Sequence, residues 1–494
     1  MDDDSGKGSI VERDPTGAET GREGRDEREV QQTLSLNGEY KLQLGQGELV
    51  ANAHAEREVT DERVRSQSDG GSSLATDHER LWSAEGGAQY KSKLGGGELE
   101  ALFVHRMGWL NALAQEEDES FAEETRTSET IGRAEYRFGG GHLRYFASAE
   151  AAFNLLDGDA KLAVGGAEVP IAGSDVEVSE TRGEAAAGAI WDLSPSVVVE
   201  PSLRAELSTI RSTGDSPQSE HFLFWKPRLR VSWEHGGTRL QSTIEREAAQ
   251  LDFDDFVASA ELDRDSVTAG ATSLRPPTTW AFSTRLEQRF WGDGAIVVTV
   301  RQEWIDDVID RVVIESGGDL FDAVGNIGAG TRRIVKAELT APFEKLGLSG
   351  VQLRAALTFV DSRVTDPITG TRRIISGDRP FEGDLHFTHD LPGGRWSWGF
   401  DASFAHREYD FRLDEERLER KGTAIGAFVE FRPRPDLRLR LEAENLTSRR
   451  LLDERQQFDQ SRALGMLDSI ERRQIETAPI FSFSVRKAFG AAAD

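Results

Sequence analysis

The sequence predicts an all-β protein, a large antiparallel transmembrane β-barrel. Three features of its 494 residues support this prediction. Long segments alternate apolar and polar residues, short Gly- or Pro-containing links join these segments in pairs, and polar loops follow each pair. No apolar run approaches the roughly 18 residues of a membrane-spanning helix, whereas a membrane strand needs only about 9–11 residues, of which every second one is apolar.

The alternation is clearest in the last third of the chain. From Leu437 to Glu444, leucines and an alanine alternate with arginines and glutamates, and successive side chains of a strand point to opposite faces. If the apolar face meets lipid, the charged face lines a lumen. Applied also to two earlier strands, this reasoning gives seven candidate lumen-facing residues: Arg228, Arg230, Arg354, Arg438, Arg440, Glu442 and Glu444.

Aromatic residues on the apolar face lie near the short turns, as shown by Trp233, Trp291, Trp396 and Trp398. This placement is typical of the interface girdle of a membrane barrel. A soluble secreted β-rich binding protein or propeller is an alternative, because the spacing of about 45–55 residues between turns overlaps that of propeller blades. That alternative predicts that the same aromatic side chains are buried in a protein core.

The pattern gives about nineteen strands, many of them longer than the usual 5–6 residues or so of soluble proteins. Residues 1–30 are predicted to form a polar loop or disordered segment, residues 31–489 the barrel, and residues 490–494 a C-terminal tail. Residues 59–80 are predicted to form a long polar loop. If the short turns face the periplasm, an odd number of strands places Met1 in an extracellular loop.

Three stretches resemble TonB-dependent outer-membrane receptors. Residues 250–280 contain a Leu-Arg-Pro step into a strand, residues 442–447 place Asn-Leu at the end of the penultimate strand, and residues 481–489 form a last strand that ends in Phe489. The resemblance covers residues 30–489. It implies that Phe489 is the signal recognised by the outer-membrane assembly machinery.

The resemblance further implies a 22-stranded barrel in the cell outer membrane, of which about nineteen strands are visible, and the uptake of a large nutrient ligand such as an iron–siderophore. The implied partners are outer-membrane lipid, the assembly machinery, that ligand, and a TonB-type energy-transducing complex that acts through a plug domain. No plug, coupling box or signal peptide is visible, so we expect a barrel portion without energised uptake of its own. A passive porin-type diffusion channel is the alternative within the same fold; it predicts a constricting loop in the lumen and an even number of strands.

No residue pattern predicts an enzyme, a cofactor or a metal site. His386 and His389 are three residues apart on a predicted strand, so they should point to opposite faces. An acidic cluster could bind a divalent cation or a cationic ligand, although solvated surface charge explains it better; it consists of Asp252, Asp254, Asp255, Glu261, Asp263 and Asp265. The formal net charge of −28 argues against a nucleic-acid partner.

Overall fold

A computed structural model describes residues 2–68, 70–214, 217–262, 266–271, 273–316 and 318–488. Its strands form one antiparallel sheet of 26 strands and a second sheet of four. Single turns of 3-10 helix lie at Asp254–Phe256, Glu344–Leu346 and Arg462–Leu464. Among the described residues, no helix combines the length and the apolar character needed to cross a membrane.

The strands of the first part of the chain differ in length, and several exceed twenty residues. They are β1 (Asp2–Arg13), β2 (Glu19–Leu44), β3 (Gly47–Ser68), β4 (Gly71–Leu94), β5 (Gly97–Glu116), β6 (Glu119–Gly140), β7 (Leu143–Val164), β8 (Ala167–Val169), β9 (Asp175–Ser194), β10 (Val197–Gly214), β11 (Gln218–His235), β12 (Thr238–Ala248), β13 (Ser259–Glu261) and β14 (Ser266–Ala269).

The strands of the second half are shorter. They are β15 (Thr278–Phe290), β16 (Gly294–Asp306), β17 (Ile309–Ser316), β18 (Asp319–Asn326), β19 (Gly330–Pro342), β20 (Val351–Thr365), β21 (Arg372–Arg373), β22 (Phe381–Asp390), β23 (Trp396–Ser403), β24 (His406–Phe411), β25 (Glu415–Lys421), β26 (Ala424–Arg434), β27 (Leu437–Glu444), β28 (Arg450–Phe458), β29 (Leu467–Thr477) and β30 (Ile480–Lys487).

The predicted count of about nineteen strands is confirmed. Six strands belong to loops, namely β8, β13, β14, β17, β18 and β21, and four strands of the wall are interrupted, so that each appears as two consecutive segments from β23 onwards. With each interrupted pair counted once, nineteen strands from β2 to β29–β30 run between the two ends of the sheet, and β1 is an additional strand.

The large sheet closes on itself through β1. One edge of β1 pairs with β2, from Asp2–Gln31 to Arg13–Glu19, and the other edge pairs with β29, from Gly6–Thr477 to Arg13–Ile470. Closure matters in lipid, where each backbone N–H and C=O must find its partner on a neighbouring strand. The closure is partial, because among the described residues β30 pairs only with β27 and residues 32–44 of β2 pair only with β3.

The two ends of the sheet differ in their connections. At one end, which we call the turn end, short links join the strands, and the predicted hairpin turns are confirmed there: residues 45–46, 95–96, 141–142, 195–196, 236–237, 291–293, 343–350, 391–395 and 435–436. At the other end, which we call the loop end, the connections include residues 249–277 and 307–329, which carry β13, β14, β17 and β18.

Two predicted loops are wrong, because both are strand. Residues 2–13 and 19–30, expected in a polar loop, form β1 and the start of β2, joined by a turn in which Asp14 Oδ1 accepts hydrogen bonds from the N–H groups of Thr16 and Ala18. Residues 59–80 continue β3 to Ser68 and begin β4 at Gly71. These segments lack apolar alternation because they extend beyond the membrane, where water contacts the wall.

Nine of the ten tryptophans lie on the apolar face of a strand and Trp291 lies in a turn; all ten side chains are exposed, between 38% and 51% accessible. This exposure contradicts the soluble alternative, which requires the aromatic side chains to be buried. On β11, Trp233 lies near the turn end and Trp225 lies eight residues closer to the loop end. With about 3.4 Å per residue and a tilt of about 40°, eight residues span roughly 21 Å along the barrel axis, close to the ~25 Å apolar band of membrane barrels.

The two tryptophans of β11 predict a depth-dependent effect of charge. Leu229 lies midway between them on the same exposed face, and Leu223 lies on that face beyond Trp225. We expect Leu229→Arg to lower the free energy of unfolding in lipid vesicles by about 2–4 kcal/mol and Leu223→Arg by at most about 1 kcal/mol. Urea titration in vesicles, followed by heat-modifiable gel mobility, measures both. Equal losses for the two variants would refute the assignment of the membrane band.

Candidate functional site

Two loops at the loop end fold together into the second sheet. β13 pairs with β14 within residues 249–277, β17 pairs with β18 within residues 307–329, and β14 pairs in parallel with β18 through Thr268–Asp322 and Ala269–Ala323. We call these four strands the mouth sheet. The two loops are also joined by Asn326, whose side chain accepts from Arg275 N at 2.8 Å and donates to Arg275 O at 2.9 Å.

The mouth sheet and its flanking residues pack against the wall in an apolar cluster. Phe256, Val257 and Leu262 of the first loop are buried against the wall. Their buried partners in the wall all lie on the face opposite the exposed tryptophans; they include Phe121, Leu156, Ala160, Leu162, Val176, Val178 and Ile210. Full burial of one such side chain stabilises by about 1.5–3 kcal/mol.

Two glycines allow the close approach of the first loop to the β7–β9 connection. Ala258 N donates to Gly173 O at 3.0 Å, and Gly270 N donates to Ala172 O at 2.8 Å. A Cβ atom on Gly270 would lie 2.8 Å from Gly173 Cα, so a larger residue would force the two backbones apart. Gly173 has φ +77°, a conformation that other residues rarely adopt.

The mouth sheet also reaches the opposite side of the ring. Ala260 and Leu262 line a cavity of about 180 Å³ whose other walls include Glu27 of β2, Ala114 of β5 and Arg473 of β29. Between β24 and β25, Leu413 N donates to Asp322 Oδ1 of β18 at 2.8 Å. A body that touches several arcs of a closed ring lies inside it, so the mouth sheet crosses the barrel interior and the face it contacts is the inner face.

A buried ion cluster joins the loop of residues 307–329 to the connections that follow β20 and β28. Arg373 contacts Asp310 at 2.8 Å and Asp366 at 2.5 Å, and Arg462 contacts Asp366 at 2.9 Å. Both aspartates are 0% exposed, and the arginines are 6% and 3% exposed. Burial opposes the charge of Asp366, but the Thr369 N–H and the two guanidinium groups outweigh it and lower the pKa of this carboxyl to about 2.

Two carboxyl groups of the mouth have shifted pKa values in the opposite direction. Burial, with a smaller contribution from Asp252, raises the pKa of Asp255 to about 6. Burial also raises the pKa of Asp322 to about 6, although the hydrogen bond from Leu413 N opposes this shift. Both groups therefore titrate near neutral pH, in the part of the structure that covers the barrel interior.

The seven predicted lumen residues share the face opposite the exposed apolar side chains, and they do not converge on one site. Ion pairs connect several of them to the wall: Arg228 with Glu245 at 3.1 Å, Arg230 with Glu200 at 3.7 Å, Arg438 with Glu430 at 3.8 Å, and Arg440 with Glu442 at 2.9 Å. Arg440 also lies over the Phe428 ring at 3.9 Å. The strand register places Arg354 opposite His386 and Glu444 opposite Ile480.

The remaining candidates are distributed as follows. His386 Nδ1 contacts Asp401 Oδ1 at 2.6 Å on the inner face, whereas His389 Nδ1 accepts from Trp398 Nε1 at 3.1 Å on the outer face, so the predicted opposition of the two histidines is confirmed.

Of the acidic cluster, Asp252, Asp254 and Asp255 flank or form the 3-10 turn of the first loop, Glu261 belongs to β13, and Asp263 and Asp265 lie outside the described residues. Phe489 also lies outside them. Within the described part of the chain, no group of His, Asp and Glu side chains is placed to hold a metal ion.

Sequence reasoning missed the mouth sheet and the buried ion cluster. A local signal for β17–β18 was present, because Val312, Val313 and Ile314 are followed by a Ser-Gly-Gly turn and a second apolar segment. The ion cluster had no such signal, since Asp366 and Arg462 are 96 residues apart.

The ion cluster predicts a large local cost for loss of one partner. Arg462→Ala leaves Asp366 buried with one guanidinium fewer, and breaking a buried pair in this way typically costs about 3–5 kcal/mol. We expect hydrogen-exchange protection to fall in residues 366–380 and 459–466. As a control, Lys161→Ala removes an exposed pair with Asp159 and should leave the exchange unchanged. Unchanged exchange in both variants would contradict a fixing role.

The raised pKa values of Asp255 and Asp322 predict that acid stabilises the mouth sheet. A carboxyl whose pKa is raised on folding contributes most stability below its unfolded value of 3.8, and this contribution is lost as pH rises through about 6. We expect exchange protection of residues 309–326, corrected for intrinsic rates, to fall from pH 5 to pH 7.5 by about tenfold for each of the two groups. The double variant Asp255→Asn/Asp322→Asn should show little pH dependence; a parent protein equally protected at both pH values would exclude the effect.

Comparison with known proteins identifies the fold independently. A family described as "TonB dependent receptor-like, beta-barrel" matches residues 2–446, and no curated protein matches the sequence. Solved structures with similar folds include the siderophore receptor PiuA from Acinetobacter baumannii (TM-score 0.57, 9% identity, covering 97% of this chain and 82% of that one). They also include the copper transporter OprC (0.56, 8%, 96% and 80%) and the siderophore receptor PirA from Pseudomonas aeruginosa (0.53, 12%, 97% and 81%).

At these identities the structural similarity concerns the fold alone, and the family match carries the assignment. It spans most of the chain, including the mouth sheet and the wall strands as far as β27. The resemblance inferred from the sequence is thereby confirmed, as is the location that it implies. The chain belongs to the family of TonB-dependent receptor-like β-barrels, which are proteins of the outer membrane.

Proposed function

We propose that the loop end of this barrel captures a metal-chelate nutrient of the iron–siderophore kind, as the first step of receptor-type uptake across the outer membrane. The mouth sheet is the observation that carries the proposal. It is connected to the wall around the ring by the apolar cluster, by the Asp322–Leu413 bond and by the buried ions. A ligand entering from the loop end meets this sheet first, and deeper passage requires the sheet to move.

The inner wall below the mouth sheet is suited to a hydrated solute. We propose that Arg228, Arg230, Arg354, Arg438, Arg440, Glu442 and Glu444 border the path, where most of the arginines have carboxylate partners and the wall carries both signs of charge. Among proteins of similar fold are siderophore receptors and a copper transporter, which supports a metal-bearing ligand. Energised transport would involve a TonB-type complex acting through a plug domain, and folding would involve the assembly machinery and lipid.

A passive diffusion channel is the second candidate, and one observation favours it. That hypothesis predicts a loop folded into the lumen, and the described residues of the loop 249–277 do fold inward. They do so at the loop end, against the ends of β6–β10 that lie beyond the membrane band, and they continue into a hydrogen-bonded sheet. The receptor proposal explains this position, because a ligand must be recognised before it enters the lumen.

A cross-link across the mouth tests the proposal. The chain has no cysteine, and Ala114 of the wall and Ala260 of the mouth sheet line the same cavity. We expect the variant Ala114→Cys/Ala260→Cys, joined by a short bismaleimide, to bind ferric catecholate and ferric hydroxamate complexes at least about tenfold more weakly than the unlinked protein, a loss of about 1.4 kcal/mol. Isothermal titration with purified protein in detergent measures the affinity.

The two single-cysteine variants, treated with the same reagent, are the matched controls and should bind like the parent. Conductance across planar bilayers separates the two candidate functions. If the parent binds none of the ferric complexes and shows a steady conductance that the cross-link does not change, the receptor proposal fails and the diffusion channel is favoured.

A further inference from the structure

A groove of about 320 Å³ lies on the wall between β19 and β20, next to β21. We call this groove the outer groove. Six polar or charged residues line it: Thr331, Arg333, Asp361, Arg363, Thr365 and Arg372. The register places Arg333 opposite Asp361, Thr331 opposite Arg363, and Thr365 opposite Arg372. Directly opposed residues share a face, and Phe359, which is exposed, precedes Asp361 by two residues, so the groove opens on the outer face.

A neighbouring tryptophan indicates the level of the groove relative to the membrane. Thr331 pairs directly with Trp304, which itself pairs with Trp280 on the next strand. These two tryptophans belong to the loop-end side of the apolar band, and aromatic belts of membrane proteins lie at the level of the lipid headgroups. The groove spans the level of Trp304. Arg333 and Asp361 lie two residues toward the turn end from this level, whereas Thr365 and Arg372 lie toward the loop end, so the groove faces the headgroups of the outer leaflet.

The groove carries three arginines and one carboxylate. Arg363 Nη2 and Asp361 Oδ2 are 3.5 Å apart, and both side chains are more than half exposed, so this pair neutralises little. Arg333 donates through Nε to Gln302 Oε1 at 2.7 Å, an uncharged partner. The three arginines line a groove on a chain whose formal net charge is −28, where a local positive excess is unusual.

We propose that the outer groove binds the phosphate group of a phosphorylated glycolipid in the outer leaflet. Guanidinium groups match phosphate oxygens in two-point hydrogen bonds, and Arg333, Arg363 and Arg372 follow one another diagonally across three strands. Thr331 and Thr365 add hydroxyl donors, and the Trp304 and Trp280 rings supply an apolar surface for acyl chains. This site is independent of ligand capture at the mouth, because it lies on the other face of the wall.

Binding of purified lipopolysaccharide tests the site. We expect the parent, delipidated in detergent, to retain the added glycolipid in native mass spectrometry, and Arg363→Gln/Arg372→Gln to bind it at least about tenfold more weakly. The matched control is Arg80→Gln/Arg211→Gln, which removes two exposed arginines of the outer face on β4 and β10 and should bind like the parent. Heat-modifiable gel mobility shows that each variant is folded.

Three outcomes would overturn the proposal. The first is equal retention by the groove variant and the control variant. The second is equal retention of enzymatically dephosphorylated lipopolysaccharide, which would place the affinity in the acyl chains. The third is complete displacement of the glycolipid by millimolar inorganic phosphate, which would make the groove a site for free anions rather than for a lipid.

Discussion

Backbone hydrogen bonding in lipid is the constraint on which this structure depends. The bilayer core offers no water to an unpaired N–H or C=O group, so each strand must find its partners on its neighbours and the sheet must curve into a ring. The register of this pairing then determines which side chains face lipid and which face the lumen. A one-residue shift between β26 and β27 would turn Arg438 and Arg440 toward lipid and Leu439 toward the lumen, so register and amphipathicity fix each other.

The same constraint explains which parts of the fold the sequence could predict. Leu437–Glu444 and the strand of Trp396 and Trp398 cross the membrane, where one face must be apolar, and their strands and faces were predicted correctly. Residues 2–13 and 59–68 pair just as regularly but have water at the outer face, so Asp61 and Arg63 serve there as well as leucine would. Strand pairing without burial leaves no periodic signal, and these segments therefore looked like loops.

The candidate site was less predictable for a different reason. Asp322, Leu413 and the ion cluster meet only because separate loops fold across the same interior, and no local pattern in residues 307–329 specifies contact with residues 412–414 or 459–466. The sequence did not show which of the polar side chains are buried. Arg462 and Arg438 are both arginines in polar stretches, yet Arg462 is buried against Asp366 while Arg438 is half exposed beside Glu430.

Arginine has three different physical roles in this chain, and they separate the parts of the molecule. On the inner wall, arginines such as Arg228 face carboxylates in water, where pairing contributes little stability but keeps the lumen hydrated and balanced in charge. In the loops, Arg373 and Arg462 are desolvated, so their aspartates are required and the loops are tied together at a few points. At the outer groove, three arginines share one exposed carboxylate. Positive charge that the protein does not neutralise, placed at the headgroup level, points to a partner outside the protein, and the outer leaflet is the nearest source of anions.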